Sequence, residues 1–159
     1  MLLQDKVVIV SGIGPGLGQE LAVLAAAEGA AGVVLAARTA RKLDAAEQAI
    51  AALGLGTRVL KVPTDIADQA QCQALAEQAL QTFGRIDVLF NSAYDPGSFE
   101  PVAQANLDGW RRAMDVNFFG TMQLTQACIP AMIAAGGGAI VMIGTMVEHK
   151  PLATQGGYG

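Results

Sequence analysis

Residues 11–18 read Ser-Gly-Ile-Gly-Pro-Gly-Leu-Gly, between the β-branched run Lys6 to Val10 and the helix-like stretch Gln19 to Glu28. A strand, a glycine turn and a helix in that order leave few folds open. Glycine turns the chain sharply and takes positive φ where required, so bare N–H groups come close to a ligand at the positive end of the helix. The turn is therefore a candidate phosphate cradle. Gly12, Gly16 and Gly18 give the spacing G-x-x-x-G-x-G. No frame satisfies G-x-G-x-x-G, and no Lys-Ser or Lys-Thr pair follows a glycine, which excludes a Walker A loop. Taken alone, the segment reads equally as a turn that packs helix against sheet.

The rest of the chain repeats the same unit. Short β-branched runs alternate with longer Ala-rich segments, the pattern of βαβ units and a parallel sheet. The pattern predicts strands near Val7–Val10, Gly32–Ala36, Arg58–Val62, Asp87–Phe90 and Ala139–Ile143. Helices are predicted over Gly16–Glu28, Ala40–Leu53, Asp68–Thr82 and Asp108–Ala134. Thr39 is the predicted cap of the second helix, Thr64 or Asp65 of the third, and Asn106 or Asp108 of the fourth. Gly29, Gly54, Gly84 and Gly136 to Gly138 mark the helix ends, and Pro130 predicts a kink or break in the last helix. Right-handed crossovers then imply an α/β fold, a doubly wound parallel sheet in one domain spanning residues 1–159, with its ligand at the carboxyl ends of the strands.

Composition narrows the partners. With 52% hydrophobic and 15% charged residues, the chain suits a sheet covered on both faces. A formal net charge of −4 argues against nucleic acid or an anionic membrane as the main partner. No apolar run approaches the roughly 18 residues of a membrane span, and Met1 to Asp5 has no secretory pattern, so a cytoplasmic location is expected. Cys72 and Cys128 have neither CxxC nor Cys/His spacing; they read as two buried thiols, and no metal site is expected.

Five motifs in order resemble the compact branch of the short-chain dehydrogenases/reductases over essentially the whole chain. Ser11-Gly12-x-x-x-Gly16-x-Gly18 is similar to the family's Thr-Gly-x-x-x-Gly-x-Gly loop, and Asp65 to its adenine-contacting aspartate. Asn91-Ser92-Ala93-Tyr94 stands where the family has Asn-Asn-Ala-Gly. Asn117-Phe118-Phe119-Gly120 matches its Asn-x-x-Gly element, and Thr145 precedes Tyr158 by the 13 residues usual between its catalytic serine and tyrosine. The resemblance implies a Rossmann-like fold and a nicotinamide dinucleotide held by Ser11, Gly12, Gly16, Leu17, Gly18, Arg38, Asp65, Ile66, Asn91 and Ala93. It also implies Tyr158 as acid/base, Thr145 as the hydroxyl that orients the substrate, and Asn117 as the holder of a water in a proton path. Tyr94 and Met146 fall beside the substrate, Tyr94 as a pocket wall, with Met142, Ile143 and Met146 more core than ligand-binding and His149 solvent-exposed. A homo-oligomer acting on a small carbonyl or alcohol substrate is expected on the same ground.

Coenzyme choice rests on residues 35–38, Leu-Ala-Ala-Arg, where no carboxylate stands to bind a ribose 2′-hydroxyl. Arg38, with Arg41 and Lys42 beyond it, suits a 2′-phosphate, so NADP(H) is expected over NAD(H). A free tyrosine has a pKa of about 10 and needs a cation beside it to work near neutrality. In the family that cation is a lysine four residues after the tyrosine, beyond the last residue of this sequence, Gly159. The expectation is a longer protein whose sheet continues after the edge strand at Ala139–Ile143, the 159 residues alone being inactive. A dinucleotide-binding sensor or partner subunit without turnover is the alternative.

Overall fold

The computed structural model describes residues 1–150, 152–156 and 158; Pro151, Gly157 and Gly159 of the expected tail lie outside the described residues. Five parallel strands, β1 (Val7–Ser11), β2 (Gly32–Ala37), β3 (Arg58–Pro63), β4 (Val88–Asn91) and β5 (Ala139–Met142), form one sheet in the order β3-β2-β1-β4-β5. The order reverses at β1, whose carboxyl end therefore opens a crevice between the β1 and β4 crossovers. Ser11 stands in register with Ala36 on one side and Asn91 on the other.

Alternate side chains of β1 leave opposite faces, and both faces are covered. Val7 and Ile9 join Val34, Ala36, Leu75, Leu89 and Leu124 in one core under α3 (Gln69–Phe83) and α5 (Thr121–Ala134). Val8 and Val10 join Val33, Leu35, Ala22, Ala26 and Leu43 in the other, under α1 (Leu17–Ala27) and α2 (Ala40–Ala51). Two-sided burial is why the strand is a continuous apolar run without polar alternation. The inner face of α1 is Gly18, Ala22, Ala25 and Ala26, small enough to seat the helix close to the sheet, while Leu17 and Leu24 face outward. Cys72 and Cys128 are buried free thiols, and burial pushes them up to about 11 and about 12, so both are neutral packing groups.

At the opposite end of the sheet, the buried Asp87 carboxylate ties β1 to β4. Its Oδ2 accepts the Val7 N–H at 2.9 Å and Arg85 Nε at 2.8 Å, while Oδ1 accepts Arg85 Nη2 at 2.5 Å. Burial raises the Asp87 pKa, but the Arg85 and Val7 bonds with the charges of Arg85 and Lys6 outweigh it and hold the carboxyl below its ordinary range.

Several local expectations are corrected. Neither Thr64 nor Asp65 caps α3; Asp68 does, accepting from the N–H groups of Ala70 and Gln71. Thr39 precedes α2 without a side-chain cap bond, whereas Asn106 caps α4 (Leu107–Met114) as expected. The long helix is interrupted at Asp115–Gly120, a π-helical segment, and not at Pro130, through which α5 runs on. Gly120 explains the position. A Cβ there would lie 2.7 Å from the Ile66 carbonyl oxygen and 2.9 Å from that of Asp115, so only glycine lets the widened turn pass the β3–α3 loop. Met142, Ile143 and Met146 are not core: they are 48%, 43% and 72% exposed, because β5 has a strand neighbour only on its β4 side among the described residues.

Candidate functional site

The turn between β1 and α1 is built by two close approaches. A Cβ on Gly12, whose φ is +88°, would lie 2.3 Å from the Ala93 backbone nitrogen, and one on Gly18 would lie 2.2 Å from the Gly12 carbonyl oxygen. Packing thus requires glycine at both places, seating the helix against the turn and the turn against the end of β4. Gly16 is different. A Cβ there would meet nothing within 4 Å, and Gly16 begins α1 without any capping side chain, so the first amides of the helix face an open cavity.

That cavity measures about 590 Å³ and lies over the reversal of strand order. It collects Gly12, Gly16, Leu17, Gly18, Arg38, Asp65, Ile66, Ala93, Tyr94 and Tyr158, residues drawn from five separate stretches of sequence. Arg38 and Lys42 bring positive charge to the end beyond β2. Asp65 lines the same end and uses Oδ1 to accept the Ala67 N–H at 3.1 Å, so its carboxylate also shapes the loop it stands on. The residues present fit a dinucleotide: the glycines that would obstruct the turn carry no side chain, the amides of α1 are uncapped, and the cavity runs from a cationic end to a tyrosine.

Other expected residues lie near the cavity without lining it. Ser11 is fully buried, its Oγ unpartnered, and Asn91 is buried beside it with Oδ1 unpartnered. The Asn91 amide donates to Thr125 Oγ1 at 3.1 Å and Met142 Sδ at 3.3 Å, and so ties β4 to α5 and β5 through side chains. The Asn117 side chain clamps one residue. Its Oδ1 accepts the Asp95 N–H at 2.7 Å and its Nδ2 donates to the Asp95 carbonyl at 2.8 Å. The side chain fixes the loop after β4, and Asn117 itself lies within the π segment Asp115–Gly120. Thr145 Oγ1 accepts the Val147 N–H at 3.4 Å, and neither Thr145 nor Met146 is on the cavity wall, where Ile143 and Gly144 stand instead. His149 is exposed, as expected. Ser92 and Val116 line the cavity without having been singled out; their neighbours Ala93 and Asn117 were the available signal.

The profile of the short chain dehydrogenase family matches residues 6–159. The chain belongs to that family. Among its relatives, an uncharacterized oxidoreductase of Staphylococcus aureus strain USA300 is 36% identical over 145 residues, covering 91% of this chain and 60% of the relative. An uncharacterized oxidoreductase of Methylorubrum extorquens is 34% identical over 158 residues, 98% of this chain and 61% of the relative. The chain therefore spans about 60% of the length of the curated relatives it matches. Among solved dehydrogenases, the crystal structure of NAD⁺-bound xylitol dehydrogenase superposes with a TM-score of 0.92 at 27% identity, covering 99% of this chain and 59% of that one. A 7α-hydroxysteroid dehydrogenase complexed with NADH and 7-oxo glycochenodeoxycholic acid gives a TM-score of 0.89 at 30% identity, covering 98% and 59%. The doubly wound Rossmann-like architecture of the family is the one observed, and among the described residues no helix is long and apolar enough to cross a membrane.

Proposed function

We propose that the protein is an NADP(H)-preferring oxidoreductase that interconverts a secondary alcohol and a ketone, or a related carbonyl compound, at the cavity over β1 and β4. The observation that carries this reading is the alignment within one cavity of an uncapped helix start, a cationic end at Arg38 and Lys42, and the phenol of Tyr158. The nicotinamide ring, when bound, gives the hydride in the reductive direction and takes it in the oxidative one. The protein's share is position and protons.

In reduction, a new C–H bond forms at the carbonyl carbon and the π pair moves to oxygen, where the Tyr158 hydroxyl supplies the proton. The Thr145 oxygen accepts the Val147 N–H, which leaves its own proton free, but Thr145 stands off the wall of this cavity, so the proton donor of this reading is Tyr158 alone. Asn117, with its amide committed to Asp95, acts by holding the loop that carries Tyr94. The preference for NADP(H) rests on Arg38 and Lys42 at the cavity and on the absence of a carboxylate from residues 35–38. Arg38→Asp is expected to lower NADPH affinity about tenfold or more in a fluorescence titration while sparing NADH. An unchanged NADPH/NADH ratio removes the coenzyme assignment.

A further inference from the structure

Tyr94 stands where the turn after β4 meets the glycine cradle, immediately after Ala93, whose backbone lies against Gly12. It is held close at its backbone and free at its side chain, which is 65% exposed. The ring lines the cavity and tilts toward Tyr158 at 52°, with centroids 6.1 Å apart. That gap is an aromatic contact and leaves no slot between the rings, so the occupant meets Tyr94 on its open side. The charged residues of the wall, Arg38, Lys42 and Asp65, belong to the far end. Apart from those three, the wall, which includes Tyr94, Tyr158, Val116, Ile143 and Gly144, has no charged side chain among the described residues.

We propose that Tyr94 determines substrate specificity: its open ring face stacks on a flat, uncharged aryl or conjugated group attached to the carbonyl carbon presented to Tyr158, so the enzyme favours aryl ketones over saturated ketones of the same size. The inference deepens the reading of Tyr158 as proton donor and rests on it. The two rings are in contact and line the same cavity, so a carbonyl compound presented to Tyr158 brings its substituents to the part of the wall that Tyr94 forms. An uncharged wall gains nothing from an ionic substituent and loses its solvation. An aromatic pair of this kind is worth a preference of about 2- to 13-fold.

The test uses the protein at its natural full length, NADPH oxidation, and acetophenone against cyclohexyl methyl ketone, which differ in flatness more than in size. Intrinsic reactivity cancels when the ratio of kcat/KM values is compared between variants. Tyr94→Ala is expected to shift that ratio toward the saturated ketone by about 2- to 13-fold, and Tyr94→Phe to keep the wild-type ratio. Tyr94→Leu, which keeps an apolar wall without a π face, should behave as Tyr94→Ala and serves if the alanine variant fails to fold. An unchanged ratio in Tyr94→Ala and Tyr94→Leu overturns the inference and leaves the reductase reading intact. Coenzyme binding with no turnover of either ketone, or of any carbonyl compound in a wider panel, overturns the reductase reading and this inference with it.

Discussion

Replacing Gly18 by alanine tests whether the cradle glycines do two different jobs. The new Cβ would lie 2.2 Å from the Gly12 carbonyl oxygen and 2.9 Å from its carbon, against an ordinary contact of 3.4 Å or more. Helix α1 must therefore retreat by about 1 Å from a backbone that is itself pinned to Ala93. Overpacking of this kind costs about 1–3 kcal/mol, and the clash is with backbone, which sets the cost near the upper end. Alanine returns up to about 1 kcal/mol through helix propensity. The net loss is about 2 kcal/mol, which at a urea slope of about 2 kcal/mol/M moves the unfolding midpoint down by about 1 M. Gly16→Ala is the control. Its Cβ meets no atom within 4 Å and its φ of −174° suits any residue, so stability should fall by no more than about 1 kcal/mol, the preference of an N-cap for glycine over alanine. The same methyl enters the wall of the cavity, and coenzyme affinity should fall about tenfold. Urea titration followed by Trp110, the single tryptophan, and coenzyme titration of both variants give the two readings. A Gly18→Ala protein as stable as wild type, or a Gly16→Ala protein that binds coenzyme normally, refutes the division of labour.

The Asn117 clamp predicts that Asn117→Ala, which leaves the Asp95 N–H and carbonyl unpaired, costs about 1–3 kcal/mol and accelerates hydrogen exchange at the Asp95 amide. Exchange there at the wild-type rate would show that other contacts hold the loop. At the far end of the sheet, Asp87→Asn should cost about 1–3 kcal/mol at pH 7. The folded-state pKa of Asp87 is depressed, so its contribution is full above the unfolded value of about 3.9 and is lost as pH falls through the lower folded value. Urea midpoints of the two proteins should therefore converge below about pH 4, and a gap that stays constant into acid contradicts the ion-pair account.

Residues adjacent in the chain carry most of what was legible in advance. Strand runs, Ala-rich helices, the glycine turn and the Asn106 cap are local patterns, and each sits within a residue or two of its expected place because backbone propensity and side-chain periodicity act over a few positions. The glycine turn was legible through its spacing and Tyr158 through the family resemblance, and both line one cavity. Tertiary structure alone decided the rest. Asn117 meets Asp95 only because a π turn rotates its side chain toward the loop after β4, and Asn91 meets Thr125 only because α5 crosses that strand. That Asp68 and neither Thr64 nor Asp65 caps α3 turned on where the loop after β3 enters the helix, and whether Met142 was core or exposed turned on which strands flank β5. Chain sequence by itself settles which elements form. Contacts between residues far apart depend on how those elements are packed, and packing depends on all of them together.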